Sequence, residues 1–249
     1  MTYHGTYAYK TDIGRVRSHN EDQAMVVLNA SGEVFLLVCD GMGGANKGDV
    51  ASKLAIDSLS ESFRKKKRTP FAQLDKWWFT RACKEANALI YDQAEKNPAE
   101  KGMGTTMVAA LISGDRLTIA NIGDSRAYLI AKDSIKQLSE DQTYVHFLVE
   151  TGKITPEQAL THPERHVLMN ALGIYPSVSL TISVHSYKGE SLLLCSDGLY
   201  NQVPEKDILA LVSTDERADQ KVTSLICVAN QNGGSDNEGI AYWESIGHD

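Results

Sequence analysis

Four acidic signatures lie far apart in the 249 residues: Asn20-Glu21-Asp22, Asp40-Gly41-Met42-Gly43-Gly44, Ser196-Asp197-Gly198 and Gly233-Gly234-Ser235-Asp236-Asn237. The middle two each follow an apolar run, Val34 to Cys39 and Ser191 to Cys195, that reads as a buried strand. Each Asp therefore stands where a strand stops and the backbone turns. If these carboxylates converge, each close pair repels by roughly 4 kcal/mol at an effective dielectric near 20, and a divalent cation is the usual remedy. Oxygen-only ligation suits the hard ions Mn²⁺ and Mg²⁺, and two of them about 3.5–4 Å apart would hold and acidify a water. Taken singly, Asp40-Gly41 and Asp197-Gly198 could each be a strand-to-turn junction whose Asp caps a following helix. Having both, with Asp236 and Glu21, favours a metal site.

The segments that must position these groups begin with strands at Thr6 to Lys10, Gln23 to Leu28 and Val34 to Cys39. Helical periodicity over Gly48 to Arg68 and Phe71 to Lys96 predicts two long amphipathic helices that pair. Thr105 to Ile112, Arg116 to Ile122 and Ser125 to Ile130 read as strands, the first two joined by a Gly114-Asp115 hairpin signal. The polar stretch at about 139–176 reads as an insertion beside the site, with a helix through Thr143 to Glu150, a capping signal at Thr155-Pro156-Glu157-Gln158 and a loop at His162-Pro163. Strands return at Ser177 to His185 and Ser191 to Cys195, followed by helices near Pro204 to Val212 and Glu216 to Asn230. Strands and helices are segregated rather than alternating, which predicts antiparallel sheets with helices packed outside, in a single domain spanning residues 1–249.

A formal net charge of -7 leaves no electrostatic footprint for nucleic acid. The one basic run, Arg64-Lys65-Lys66-Lys67-Arg68, reads as the solvated last turn of a helix. The four cysteines contain no C-x-x-C pair and three lie in apolar runs, so reduced, buried thiols and a cytoplasmic setting are expected. The first residues lack a signal pattern and no apolar stretch approaches the ~20 residues of a membrane span. Trp77 and Trp78 read as core or helix contacts. The seven histidines show no metal-ligand spacing. Gly41-Met42-Gly43-Gly44 invites a nucleotide-loop reading, but position 46 is Asn and no Gly-Lys-Ser/Thr follows.

Taken in order, Thr11-Asp12-Ile13-Gly14 with Arg17, Asn20-Glu21-Asp22, Asp40 to Gly44, Gly104-Thr105-Thr106, Gly123-Asp124-Ser125-Arg126, Ser196-Asp197-Gly198 and Gly233 to Asn237 resemble the bacterial type 2C metal-dependent serine/threonine protein phosphatases. The resemblance implies an α+β fold: an antiparallel β-sandwich flanked by paired antiparallel helices, with residues 139–176 as a flap. It implies that Asp40 bridges two Mn²⁺ or Mg²⁺ ions, that Glu21 and the carbonyl of Gly41 serve one, and that Asp197 and Asp236 serve the other. Asp124 with Asp197 would hold a weaker third ion, Asp22 would orient a metal-held water, and Arg17 would grip the substrate phosphate. The implied reaction is hydrolysis of phosphoserine and phosphothreonine, with a metal-held hydroxide attacking phosphorus in line and no phospho-enzyme. Implied partners are phosphorylated proteins, opposite a serine/threonine kinase; no nucleic acid or membrane partner is expected, and the chain is expected to be a monomer.

Bland readings stand beside these: Arg17 could merely pair with Glu21 or Asp22, and Asp124 could serve only a turn. Glu238-Gly239-Ile240-Ala241-Tyr242-Trp243 also replaces the β-branched strand usual after the family's Ser-Asp-Asn. Since Glu and Gly are poor strand formers, a short or irregular last strand and a loosely held Asp236 are expected. The rival to turnover is therefore a pseudophosphatase, a phosphoprotein-binding module with a weakened metal site.

Overall fold

The computed structural model describes residues 2–43 and 47–249, so Gly44 and Asn46 of the glycine-rich turn lie outside the described residues. Two five-stranded antiparallel sheets form the centre. One has the order β1 (Tyr3–Asp12), β12 (Glu238–His248), β11 (Ser191–Cys195), β8 (Arg126–Ala131), β9 (Ser134–Gln137). The other has the order β10 (Thr181–Ser186), β7 (Arg116–Ile122), β6 (Met107–Ser113), β3 (Val34–Cys39), β2 (Gln23–Leu28). A two-residue pair, β4 (Gly41–Met42) with β5 (Gly104–Thr105), sits beyond β3. The helices are α1 (Gly48–Lys65), α2 (Ala72–Lys96), α3 (Tyr144–Glu150), α4 (Pro156–Leu160), α5 (Asp197–Tyr200), α6 (Glu205–Val212) and α7 (Ala218–Gln231). Among the described residues no helix is long and apolar enough to cross a membrane.

Why β3 and β11 are continuously apolar follows from what covers them. Val34, Leu36 and Val38 join Leu192, Leu194, Ala241 and Trp243 in the core between the sheets. Phe35, Leu37 and Cys39 point the other way, into a core shared with Leu59, Phe63, Trp78 and Phe79 of α1 and α2. Leu193, Cys195, Ile240 and Tyr242 likewise meet Ile208, Val222 and Leu225 of α6 and α7. Period-2 alternation thus distributes side chains between two apolar layers rather than between core and water, giving a helix–sheet–sheet–helix stack.

Three expectations are corrected. The strand after Asn237 is not short: β12 runs eleven residues and pairs with β1 from Glu238 to His248, with one register shift that leaves Ile246 unpaired, while β11 takes its other edge over Ile240 to Trp243. Its flanking partners and burial on both faces override the poor propensity of Glu238 and Gly239. Lys66 is not solvated. Its Nζ lies 2.8 Å from Glu33 Oε1 and 3.0 Å from Asp75 Oδ1, in a buried cluster that Arg116 Nη2 joins at 3.1 Å from Asp75. The cluster ties the α1–α2 connection to the β2–β3 turn and the β6–β7 hairpin. Finally, Trp78 is buried but Trp77 is 60% exposed, because consecutive helical positions face different sides.

Candidate active site

Register brings the acidic signatures to one end of the sandwich. Gln23 lies opposite Cys39, Met107 opposite Ile122, Arg126 and Ile240 both opposite Cys195, and Asp12 opposite Glu238. The C-terminal ends of β3, β7 and β11 therefore sit beside the N-terminal ends of β2, β6, β8 and β12. Asp22 immediately precedes β2, Asp40 immediately follows β3, and Asp124, Asp197 and Asp236 lie within two residues of β7, β11 and β12.

Their electrostatics report the convergence. The Asp40 carboxyl is driven well above the usual carboxylate range by burial and then by Asp22, Asp197, Asp124 and Asp236. Asp197 is raised in the same way by burial, Asp124, Asp236 and Asp22. Burial pushes Asp22 up to about 7 against a lowering hydrogen bond from Ser196, and burial with Asp141 pushes Asp124 up to about 6. Glu21 is raised by burial and opposed by the Gly48 N–H, which donates to its Oε1 at 3.1 Å. Asp40 and Asp197 are thus held back from ionising by burial and then by the acids around them, Asp22, Asp124 and Asp236, and an oxygen-rich cluster of this kind fits hard divalent cations.

Residues outside the predicted set hold these carboxylates in place. Ser196 Oγ donates to Asp22 Oδ2 at 2.5 Å and accepts from Gly239 N–H at 2.8 Å, bridging β12 to the start of β2. Asn237 Oδ1 accepts from Glu21 N–H at 2.9 Å, while its Nδ2 donates to the carbonyls of Ile13 and His19. Asp40 is held through its backbone: its N–H donates to Thr106 Oγ1, and its carbonyl accepts from Thr105 Oγ1 and Thr106 N–H. Gly41 and the first residue of α1, Gly48, are packed backbone to backbone, and a Cβ on either would collide with the other. Gly239 clears room for Asp22, since a Cβ there would lie 3.2 Å from Asp22 Oδ2 and 3.3 Å from Val38. Ser196 and Asn237 were visible in the sequence as parts of the acidic motifs; Gly48 read only as the start of a helix and Gly239 only as a poor strand former until their close contacts were known.

Arg17 sits at the mouth with its side chain 53% exposed, and Nη2 donates to Asp236 Oδ2 at 2.7 Å. It pairs with neither Glu21 nor Asp22. That hydrogen bond raises its already high pKa. Across the mouth, α3, α4 and the turn to His166 wall a cavity of about 330 Å³ that reaches Asp124, Arg126 and Tyr200. Gln142 anchors this wall: its N–H donates to the Gly123 carbonyl and its Oε1 accepts from Gly123 N–H, both at 3.0 Å. Asp141 takes Arg126 Nη2 at 2.7 Å, and His166 Nδ1 comes within 4.0 Å of Asp197. A larger cavity of about 530 Å³ lies between α1 and α2 beside Trp77 and Arg81. It is remote from the converging acids, whereas the smaller one is lined by Asp124 of that set.

The family model for protein phosphatase 2C matches residues 14–233. The chain belongs to that family. Within it, the serine/threonine phosphatase stp of Listeria innocua serovar 6a is 40% identical over 230 residues, covering 92% of this chain and 91% of that protein. The crystal structure of serine/threonine phosphatase Stp1 from Staphylococcus aureus superposes with a TM-score of 0.92 at 34% identity, covering 99% of this chain and 97% of that one. The catalytic domain of the serine/threonine protein phosphatase PstP, solved in complex with two manganese ions, superposes with a TM-score of 0.84 at 34% identity, covering 98% and 99%. The sandwich seen here is therefore the fold of the type 2C family.

Proposed function

We propose that this chain is a metal-dependent phosphoprotein phosphatase that hydrolyses phosphoserine and phosphothreonine at the acidic end of its sandwich. The observation that carries the reading is the set of carboxylates gathered at the end of the sandwich, whose pKa values rise first because they are buried and then because neighbouring acids surround them. Mn²⁺ or Mg²⁺ is the cofactor, and two ions fit a donor set made of carboxylates and backbone oxygen. Asp40 is assigned as the bridging ligand, Glu21 and the Gly41 carbonyl as ligands of one ion, and Asp197 and Asp236 as ligands of the other. Asp124 with Asp197 is assigned to a weaker third ion. When bound, the ions offset the negative charge of site and substrate and make a water acidic enough to act near neutral pH.

The protein's own groups supply the rest. Asp22, fixed by Ser196 beside Asp40, is placed to accept a proton or align a water. Arg17 offers a planar fork to two phosphate oxygens once cations have drawn charge from Asp236. Direct displacement at phosphorus fits a site with a charge clamp and no nucleophilic side chain assigned to it. The stretch 139–176, in a single catalytic domain, acts as the flap over the substrate. Phosphorylated proteins, the products of a serine/threonine kinase, are the partners, a monomer in the cytoplasm is the working form, and buried, free Cys39, Cys83 and Cys195 suit a reducing compartment. A binding module without turnover has no use for so costly a set of buried acids, which disfavours the pseudophosphatase. The test is hydrolysis of a phosphothreonine peptide after chelation and then after adding Mn²⁺ or Mg²⁺. Metal-restored turnover is expected; a folded protein inert with every metal would overturn the reading.

A further inference from the structure

The histidines show no metal-ligand spacing along the chain, yet one finds ligand company in space. Glu140, His146 and Glu150 present donor atoms that all lie within 4.8 Å of one another. His146 Nε2 is 3.5 Å from Glu140 Oε1 and 3.8 Å from Glu150 Oε1. It is also closed off from solvent and makes no hydrogen bond, although a ring nitrogen in that position would ordinarily find one. His146 and Glu150 share one face of α3 at i and i+4, and Glu140 approaches from the strand side of the N-cap residue Thr143. The carboxylates are exposed and free to close by small rotations.

We propose that Glu140, His146 and Glu150 form a divalent-cation site of their own, separate from the carboxylates around Asp40 and selective for a borderline ion such as Zn²⁺ over Mg²⁺. In a tetrahedral site with ligands at about 2.1 Å, donors stand roughly 3.4 Å apart, close to the two separations from His146 and inside the 4.8 Å that spans all three donors. One imidazole and two carboxylates, with room left for water, is a donor set that zinc accepts, whereas Mg²⁺ asks for six oxygens in near-ideal octahedral geometry. The order of divalent affinities at nitrogen-containing sites points the same way. A seven-residue helix is marginal by itself, so an ion joining residue 140 to both turns of α3 would order it. That matters beyond the helix. Gln142, between the ligands in sequence, holds Gly123 next to Asp124, and α3 walls the cavity leading to the acidic end.

The test compares wild type, His146→Ala and Glu150→Gln, each in saturating Mg²⁺, by equilibrium dialysis against Zn²⁺ and by amide hydrogen exchange. Zinc entering the acidic end is common to all three proteins and subtracts out. Wild type is expected to hold one more Zn²⁺ per chain than His146→Ala. Glu150→Gln, an exposed change that leaves packing alone, is expected to weaken that extra site at least about tenfold. Zinc should slow exchange over 140–151 in wild type only. Equal zinc in all three proteins, or slowing that survives in His146→Ala, overturns the proposal.

Discussion

Glu238→Leu is expected to stabilise the protein, and more so as pH rises. Glu238 is fully buried in β12, and neither carboxyl oxygen has a hydrogen-bond partner. Burial, with help from Asp12 and Asp22, pushes its pKa up to about 8 from an ordinary 4.5. The folded chain therefore keeps a proton that the unfolded chain releases near pH 4.5. Its stability contribution is complete below pH 4.5 and is lost progressively until pH passes about 8. The slope between those limits is at most about 1.4 kcal/mol per pH unit. Screening by solvent at the nearby mouth reduces the sum to about 1–3 kcal/mol, which is also the usual cost of a buried polar group with no partner. Leucine removes both the proton linkage and the orphaned oxygens. Urea unfolding in chelator should show Glu238→Leu more stable by about 1–3 kcal/mol at pH 8, or roughly 3–10 °C in Tm for a chain of this size, and by clearly less at pH 5. No gain at pH 8, or the same gain at both pH values, refutes the reasoning.

Gly239→Ala places a methyl 3.2 Å from Asp22 Oδ2 and should lower kcat by about 10- to 100-fold with the fold retained, measured on a phosphopeptide with circular dichroism as control. Lys66→Met takes away the ammonium paired with buried Glu33, leaving the Asn29 amide to donate to it, and leaves Asp75 with Arg116 and Thr69; it should cost about 3–5 kcal/mol by urea unfolding, whereas Lys67→Met, at an exposed position, should change stability by less than about 0.5 kcal/mol. Cations must displace protons from Asp40, Asp197, Asp22 and Asp124, the last two with pKa values of about 7 and 6. Calorimetry should therefore show Mn²⁺ affinity falling as pH drops from 8 to 6, with at least one proton released per binding event; pH-independent binding contradicts the buried, crowded acids.

Much of this site was legible because its chemistry coincides with breaks in hydrophobic pattern. Asp40 and Asp197 stand directly after runs that had to be strands, and β2, β3, β7 and β11 fall where those runs predicted. The segregation of strands from helices also gave the layered fold. What could not be read were close approaches between distant segments. Gly239 looks like a poor strand residue until Asp22 is seen packed so closely that a side chain there would press on its carboxylate. Lys66 looks solvated among four other basic residues until Glu33 and Asp75, from two other elements, close around it. His146 and Glu150 have helical spacing, but Glu140 joins them only through the turn capped by Thr143. Even β12 was misjudged, because propensity is local and two flanking strands are not.

The central claim, that Asp40 joins two cations at the acidic end to drive phosphoester hydrolysis, is tested most directly by Asp40→Asn. Bound Mn²⁺ per chain and turnover of a phosphothreonine peptide should be measured on the same folded sample. The account predicts lost manganese at the acidic end and turnover reduced by at least about a thousandfold, with the unfolding midpoint unchanged or raised by relief of charge crowding. Full turnover with manganese retained in a well-folded Asp40→Asn protein would contradict it.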